Sequence, residues 1–254
     1  MKKYPKTEKY DRKWIVDNSM WTNSILLMEE LCNNLDLRPG MKVLDMGCGK
    51  GITSIFLAKE YGVTVFANDL WINPTDNLKR FEAAGVADKV FPIRAEAHTL
   101  PYANYFFDAA VSVGSYHYFG ADDYYFPMIY SKLVKPAGQF GIVVPGFTRE
   151  FESGFPENIN ELFGDDMFTF HSNNWWRKLW EKTGHVEITA CYDINNAHEV
   201  WLDTAEEGKG SEFIYADTDK VVTIVVMTAI KKGHRKNIYE MYDGDINPIK
   251  YRTK

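Results

Sequence analysis

Hydrophobic positions along this chain alternate between two periods. Over residues 14–35, Ile15, Met20, Ile25, Leu26, Met28, Leu31, Cys32 and Leu35 recur mainly at helical spacing with polar residues between them. Arg38-Pro39-Gly40 punctuates, and residues 41–46, MKVLDM, predict a short buried strand. A helix over 53–61 stops at Gly62, a strand follows at 63–67, and a helix over 77–84 stops at Gly85. Strands at 90–93, 107–113 and 139–144 are separated by a helix over 122–133 and the turn Lys135-Pro136-Ala137-Gly138. Strands alternating with helices of about ten residues imply βαβ units and a parallel sheet covered on both faces.

Past Pro145 the pattern changes. Residues 175–184, WWRKLWEKTG, predict a helix ended by glycine, with Trp176 and Trp180 one turn apart as a buried stripe. Two more strands are predicted at 185–192 and 221–230, separated by a poorly patterned insertion over 193–220. The expected fold is α/β: a Rossmann-like, doubly wound, mostly parallel seven-stranded sheet with an antiparallel last strand and helices on both faces. Its expected divisions are an N-terminal helical cap over 1–37, a core over 38–145, substrate-side insertions with a terminal β-hairpin over 146–233, and a basic tail over 234–254.

Composition narrows the partners. The formal charge is −6, but residues 1–13 and 231–254 each carry +4, leaving −14 on the body between them. An acidic body lacks the clustered Lys and Arg that phosphate contacts need, so no nucleic-acid partner is expected. Cys32, Cys48 and Cys191 are too far apart for a metal knuckle or a disulfide framework, and no metal site is expected. The N-terminus has no apolar core after its early lysines, and no window of about 18 apolar residues occurs. A cytoplasmic protein without membrane insertion is expected, its oligomeric state open. Aromatic residues number 38, and six of the seven Trp lie outside residues 38–145.

The strongest motif is Asp45-Met46-Gly47-Cys48-Gly49-Lys50-Gly51, set between the first strand and a helix. Glycines there let the backbone turn sharply and approach a ligand. A dinucleotide fingerprint requires its third glycine at position 52, which is Ile52. A DxGxGxG strand end followed by an acidic residue closing the second strand, Asp69, resembles the class I S-adenosylmethionine-dependent methyltransferases, in a small-molecule, ubiquinone- or cyclopropane-synthase-like branch. Further matching segments follow in order: Ala95-Glu96-Ala97-His98-Thr99-Leu100-Pro101-Tyr102, with Glu96 replacing the usual Asp; Phe106-Phe107-Asp108-Ala109-Ala110-Val111-Ser112; and Leu133-Val134-Lys135-Pro136-Ala137-Gly138, with Ala137 replacing a glycine.

The resemblance implies a Rossmann-like core that binds S-adenosylmethionine, releases S-adenosylhomocysteine, and methylates a small molecule at N, O or C. The implied cofactor residues are Asp45, Gly47, Cys48, Gly49, Gly51, Asp69, Leu70, Glu96, Ala97 and Ser112, with Tyr10 and Trp14 closing the methionine end. Asp69 would take the ribose hydroxyls, and Glu96 with the Ala97 amide the adenine. His117 is the candidate base, because its ordinary pKa is near neutrality. Tyr116, His117, His171 and Trp175 are the candidate substrate contacts. Aromatics outside the sheet, Trp21 and Trp201 among them, suit an amine through cation–π contacts or an aromatic or lipid-like acceptor. The alternatives are a cofactor-binding protein without methyl transfer and a lipid-modifying, cyclopropane-synthase-like enzyme.

Overall fold

A computed structural model describes residues 3–160, 165–204 and 211–233. The predicted basic tail, 234–254, and residues 205–210 of the predicted insertion lie outside the described residues.

The long N-terminal helix expected over 14–35 is two helices, α1 (Arg12–Asn18) and α2 (Ser24–Cys32). Each has its own side-chain cap: Asp11 accepts from the Trp14 amide at 2.8 Å and Asn23 from the Leu26 amide at 3.0 Å. Hydrophobic spacing continues across the junction, but the second cap restarts the helix and leaves residues 19–23 as an irregular link. Next come β1 (Lys42–Met46), α3 (Ile52–Tyr61), β2 (Thr64–Asp69), α4 (Pro74–Ala83), β3 (Val90–Arg94) and β4 (Phe107–Val113).

Where a regular helix is predicted over 122–133, the chain instead forms α5 (His117–Gly120), a wide π-type turn (Phe126–Tyr130) and α6 (Ser131–Leu133). Pro127 lies in that turn and has no N–H to donate, which disfavours regular helix. β5 (Val134–Phe147) starts earlier than predicted, because Val134 already pairs with Phe107 before residues 135–138 bulge out and Gln139 resumes opposite Ala109. The remaining elements are α7 (Glu157–Asn160), α8 (Asn173–Glu181), β6 (Val186–Asp193), α9 (Ala197–Leu202), α10 (Glu212–Ala216) and β7 (Val222–Lys231).

The seven strands run in the order β3-β2-β1-β4-β5-β7-β6. The first five pair in parallel, and β7 is antiparallel to both of its neighbours. The predicted sheet and its reversed last strand are both present. Period-two alternation splits the interior into two cores. Val43, Val111 and Val143 pack on one face with Ile25, Leu31 and Phe56, while Leu44, Ala110 and Ile142 pack on the other with Trp176 and Trp180. The Trp176/Trp180 stripe is core, as its spacing predicts, and Trp180 stacks on Phe126 at 4.2 Å. No helix among the described residues is long and apolar enough to cross a membrane. Strand order reverses between β1 and β4, which opens a crevice at their carboxyl ends.

Candidate functional site

A cavity of about 540 Å³ occupies that crevice, lined by the glycine loop, the ends of β2, β3 and β4, the α1–α2 link and the helices after β6. The loop is fixed by backbone bonds before any side chain contributes. The amides of Gly47 and Cys48 both donate to the Asn68 carbonyl, at 2.8 and 3.0 Å, and Asn77 on α4 donates to the Gly49 carbonyl at 2.9 Å. Gly47 has φ +68°, and a Cβ there would run into the Ser115 side chain. Only glycine satisfies both conditions at that position.

Asp69 ties the loop to the turn after β2. Its Oδ2 accepts from the Gly49 amide at 2.8 Å, and its Oδ1 accepts from the Trp71 and Ile72 amides at 2.8 and 2.9 Å. Three of about four lone-pair positions are therefore used, leaving capacity at Oδ2 for one further donor. Glu96, beyond β3, accepts from the His98 backbone at 2.8 Å and pairs with His98 Nδ1 at 2.7 Å. Burial pushes its carboxyl up, but the bonds from His98 outweigh that and leave its pKa below the ordinary value.

The structure brings half of the predicted site residues to the cavity wall: Gly47, Cys48, Gly49, Asp69, Leu70, Glu96, Ala97 and His117. The other predicted positions do not line it. Asp45 lies beneath the loop, where its Oδ2 accepts from Thr53 at 2.7 Å and Ser54 at 2.6 Å, joining β1 to the first turn of α3. Its Oδ1 is buried without a partner, and burial pushes its pKa up to about 6. Gly51 caps α3 with φ +77° against the Phe81 ring, a packing role. Ser112 is fully buried and donates to the Met46 carbonyl at 2.8 Å, and its neighbour Ser115 reaches the cavity instead.

Tyr10 and Trp14, predicted to close the methionine end, pack on each other beside α3. Tyr10 stacks on Trp14 at 5.8 Å and packs against Phe56 of α3, and neither ring lines the cavity. The break between α1 and α2 presents Asn18, Met20 and Trp21 instead. Hydrophobic spacing does not reveal this, because the capping Asn23 that makes the break looks like one more polar position on a helix.

Among the substrate candidates, Tyr116 is fully buried in the second core, with Tyr125, Tyr130, Trp176 and Trp180 around it. His171 stacks on Trp175 at 3.6 Å and pairs with Glu150 at 2.9 Å, away from the cavity. His117 does line the cavity at 3% exposure, with Phe170 edge-on at 5.7 Å. Burial lowers its pKa to about 3, so the ring is neutral near pH 7. The far wall adds Trp21, Trp201 and Phe213, with Trp21 and Trp201 edge-to-face at 4.7 Å. Among the described residues, no group of three or more His, Cys, Asp or Glu is placed to hold a metal ion.

Residues 18–150 match the family described as mycolic acid cyclopropane synthetase. Among curated relatives, a methyltransferase of Streptomyces halstedii is 36% identical over 90 residues, 35% of this chain and 32% of that protein. The cyclopropane-fatty-acyl-phospholipid synthase of Escherichia coli is 30% identical over 115 residues, 44% of this chain and 28% of that protein. The matches thus span about a third of the length of these relatives. Among solved structures, geranyl diphosphate C-methyltransferase from Streptomyces coelicolor superposes with a TM-score of 0.67 at 15% identity, over 81% of this chain and 76% of that one. Phosphoethanolamine N-methyltransferase 2 of Haemonchus contortus gives 0.68 at 18% identity, over 87% and 56%. These two likenesses show a shared fold.

Proposed function

We propose a function from the premise that this chain belongs to the mycolic acid cyclopropane synthetase family. It is an enzyme that binds S-adenosylmethionine along the glycine-loop half of the cavity, transfers a methyl group to a small molecule in the aromatic half, and releases S-adenosylhomocysteine. The observation that carries this reading is the convergence of the Gly47–Gly49 cradle, Asp69 and Glu96 on one cavity at the strand-order reversal.

The residues present fit the cofactor. Gly47 keeps side-chain bulk out of the loop where a Cβ would meet Ser115. Asp69 has one acceptor position left for a ribose hydroxyl, and Glu96 with the Ala97 amide, on the same cavity wall, would hold the adenine. When bound, the cofactor supplies a methyl group carried on a cationic sulfur. The chain's contribution is positioning and the exclusion of water by aromatic walls. His117, neutral and buried, orients the acceptor by a hydrogen bond; a ring whose conjugate acid has a pKa of about 3 takes up a proton too weakly to serve as a strong base.

Calorimetric titration of the full chain with S-adenosylmethionine, S-adenosylhomocysteine and NAD tests the cofactor. Binding of the first two is expected, and tight NAD binding with no response to either would overturn the reading. Substrate-dependent release of S-adenosylhomocysteine across a metabolite panel then tests turnover. His117→Ala is expected to lower turnover by a similar factor at every pH between about 6 and 9, since no ionisation of that ring falls in the interval.

A further inference from the structure

Charge in the cavity is segregated. Among the described residues, the charged side chains on its wall are Lys50 of the glycine loop, Asp69 at the end of β2 and Glu96 beyond β3, with His98 beside Glu96. Each already has partners: Lys50 Nζ donates to the Asp17 carbonyl at 2.8 Å, Glu96 pairs with His98, and Asp69 accepts three backbone amides. Across the cavity stand Trp21, His117, Pro145, Phe170, Trp201 and Phe213, none carrying a formal charge near pH 7.

The aromatic side is a built wall. Trp21 lies over Gly114, where a Cβ would come within 2.8 Å of its ring, so the chain after β4 is shaped to admit the indole. Trp201 from α9 meets Trp21 edge-to-face at 4.7 Å, and Phe213 from α10 meets Trp201 at 5.0 Å. α9 is in turn held to the α1–α2 link: Thr22 donates to the Val200 carbonyl, and Asn23 to Asp203 at 2.7 Å. The indole nitrogens of Trp21 and Trp201 are buried without partners, so the surface these residues present to the cavity is ring carbon. A phosphate or carboxylate placed there would lose its hydration with no cation among the described wall residues to meet it. Among the described residues, an ammonium would find rings but no carboxylate on the wall itself, since Asp203 behind it is held by Asn23 and Arg12 and does not line the cavity.

Resting on the methyltransferase reading above, we infer that the aromatic half selects an uncharged ring compound as methyl acceptor and rejects phosphorylated and ammonium-bearing molecules of the same shape. Trp201 and Trp21 determine that specificity, holding the ring by apolar and edge-to-face contact.

The test uses three probes with one ring system: 1-naphthol, 1-naphthyl phosphate and 1-naphthylmethylammonium. Each is titrated calorimetrically near pH 7 into the full chain saturated with S-adenosylhomocysteine. 1-Naphthol is expected to bind about tenfold or more tighter than either charged probe. Equal binding of either charged probe, or no binding of 1-naphthol, would overturn the inference. Trp201→Ala is expected to weaken 1-naphthol about tenfold or more, with Trp201→Phe recovering most of it. Phe213→Lys, a half-buried position, supplies a cation and is expected to strengthen 1-naphthyl phosphate by about tenfold. A Phe213→Lys protein that still discriminates against the phosphate as the parent does would count against charge as the basis of selection. The titration with S-adenosylhomocysteine alone reports separately on the cofactor reading: no binding there, with probe discrimination intact, would overturn the proposed function and the acceptor role while leaving the wall's selection of an uncharged ring standing.

Discussion

The two halves of the cavity are made in different ways. The glycine-loop half comes from consecutive strand ends of one parallel sheet, and backbone amides and carboxylates do its work. The Gly47 and Cys48 amides bond to the Asn68 carbonyl and the Gly49 amide to Asp69, at 2.8–3.0 Å, in an arrangement that depends on strand register. The aromatic half draws Trp21, Phe170, Trp201 and Phe213 from four separate segments, and ring packing with little hydrogen bonding does its work. Rigid local geometry suits a ligand whose polar groups must be met in fixed directions. An assembled apolar wall suits selection by shape and charge.

The largest effect that would break this comparison is expected at Gly47. Gly47→Ala forces a Cβ into Ser115 at φ +68° and is expected to abolish S-adenosylhomocysteine binding and cost about 2–4 kcal/mol of stability. Gly51→Ala is the matched control: it meets the Phe81 ring at φ +77°, so chemical denaturation should show a stability loss while calorimetry on the folded protein shows near-parent affinity. Equal loss of binding in both variants would mean the loop responds to strain anywhere along it.

Asp69→Ala comes next. Loss of charged hydrogen bonds is expected to weaken S-adenosylhomocysteine by about 1.5–3 kcal/mol. The melting temperature should fall too, because the amides of Gly49, Trp71 and Ile72 lose their acceptor. Affinity unchanged in that variant would remove Asp69 from the ligand.

Acid sharpens the contrast through two buried groups of opposite sign, one on the cavity wall and one under the loop. His117 has its folded pKa lowered by burial from 6.5 to about 3, so the unfolded chain binds the extra proton and stability is lost as pH falls below about 6.5. Asp45 has its folded pKa raised by burial from 3.8 to about 6, so the folded chain binds the extra proton and stability is gained as pH falls from about 6 towards 3.8. Between about pH 6.5 and 5 these contributions are each about 1–1.5 kcal/mol and offset one another. Denaturation curves at the two pH values should therefore show His117→Gln gaining stability on acidification and Asp45→Asn losing it, relative to the parent. The same trend in both variants would contradict the assignment.

The smallest effect is expected from Tyr10→Phe. Its hydroxyl faces Glu60 on α3 at 3.4 Å, away from the cavity, so the dissociation constant of S-adenosylhomocysteine should stay within about twofold. A larger change would support the N-terminal closure that the resemblance implies.

The glycine-loop half was largely legible in the chain because its residues sit at fixed distances from strand ends. Once β1 and β2 were read from their apolar runs, the glycine loop and Asp69 stood at their ends, while the roles of these residues and the choice of Glu96 came from the resemblance of the motifs to the methyltransferases. Spacing failed where a residue's direction mattered. Ser112 and Ser115 are three apart, and only the turn of the chain at Gly114 decides which reaches the cavity. Tyr116 and His117 are adjacent, yet one enters the core among Trp176 and Trp180 while the other lines the cavity. Among the seven Trp, composition located an aromatic surplus at the ends of the chain without separating the core pair from Trp21 and Trp201.

By itself the sequence determined the alternation of strands and helices, the glycine turn that no other residue can make, and the acidic residues closing β2 and following β3. These are local properties, set by backbone sterics and by hydrophobic periods that extend over a few residues. Tertiary structure alone decided that Trp21 in the α1–α2 link reaches the cavity, that α9 brings Trp201 against it, and that the charged residues on the described wall come from the glycine loop and the ends of β2 and β3. The Trp21–Trp201 contact joins segments more than a hundred residues apart, where a side chain's neighbours are set by the whole fold and by no pattern along the chain.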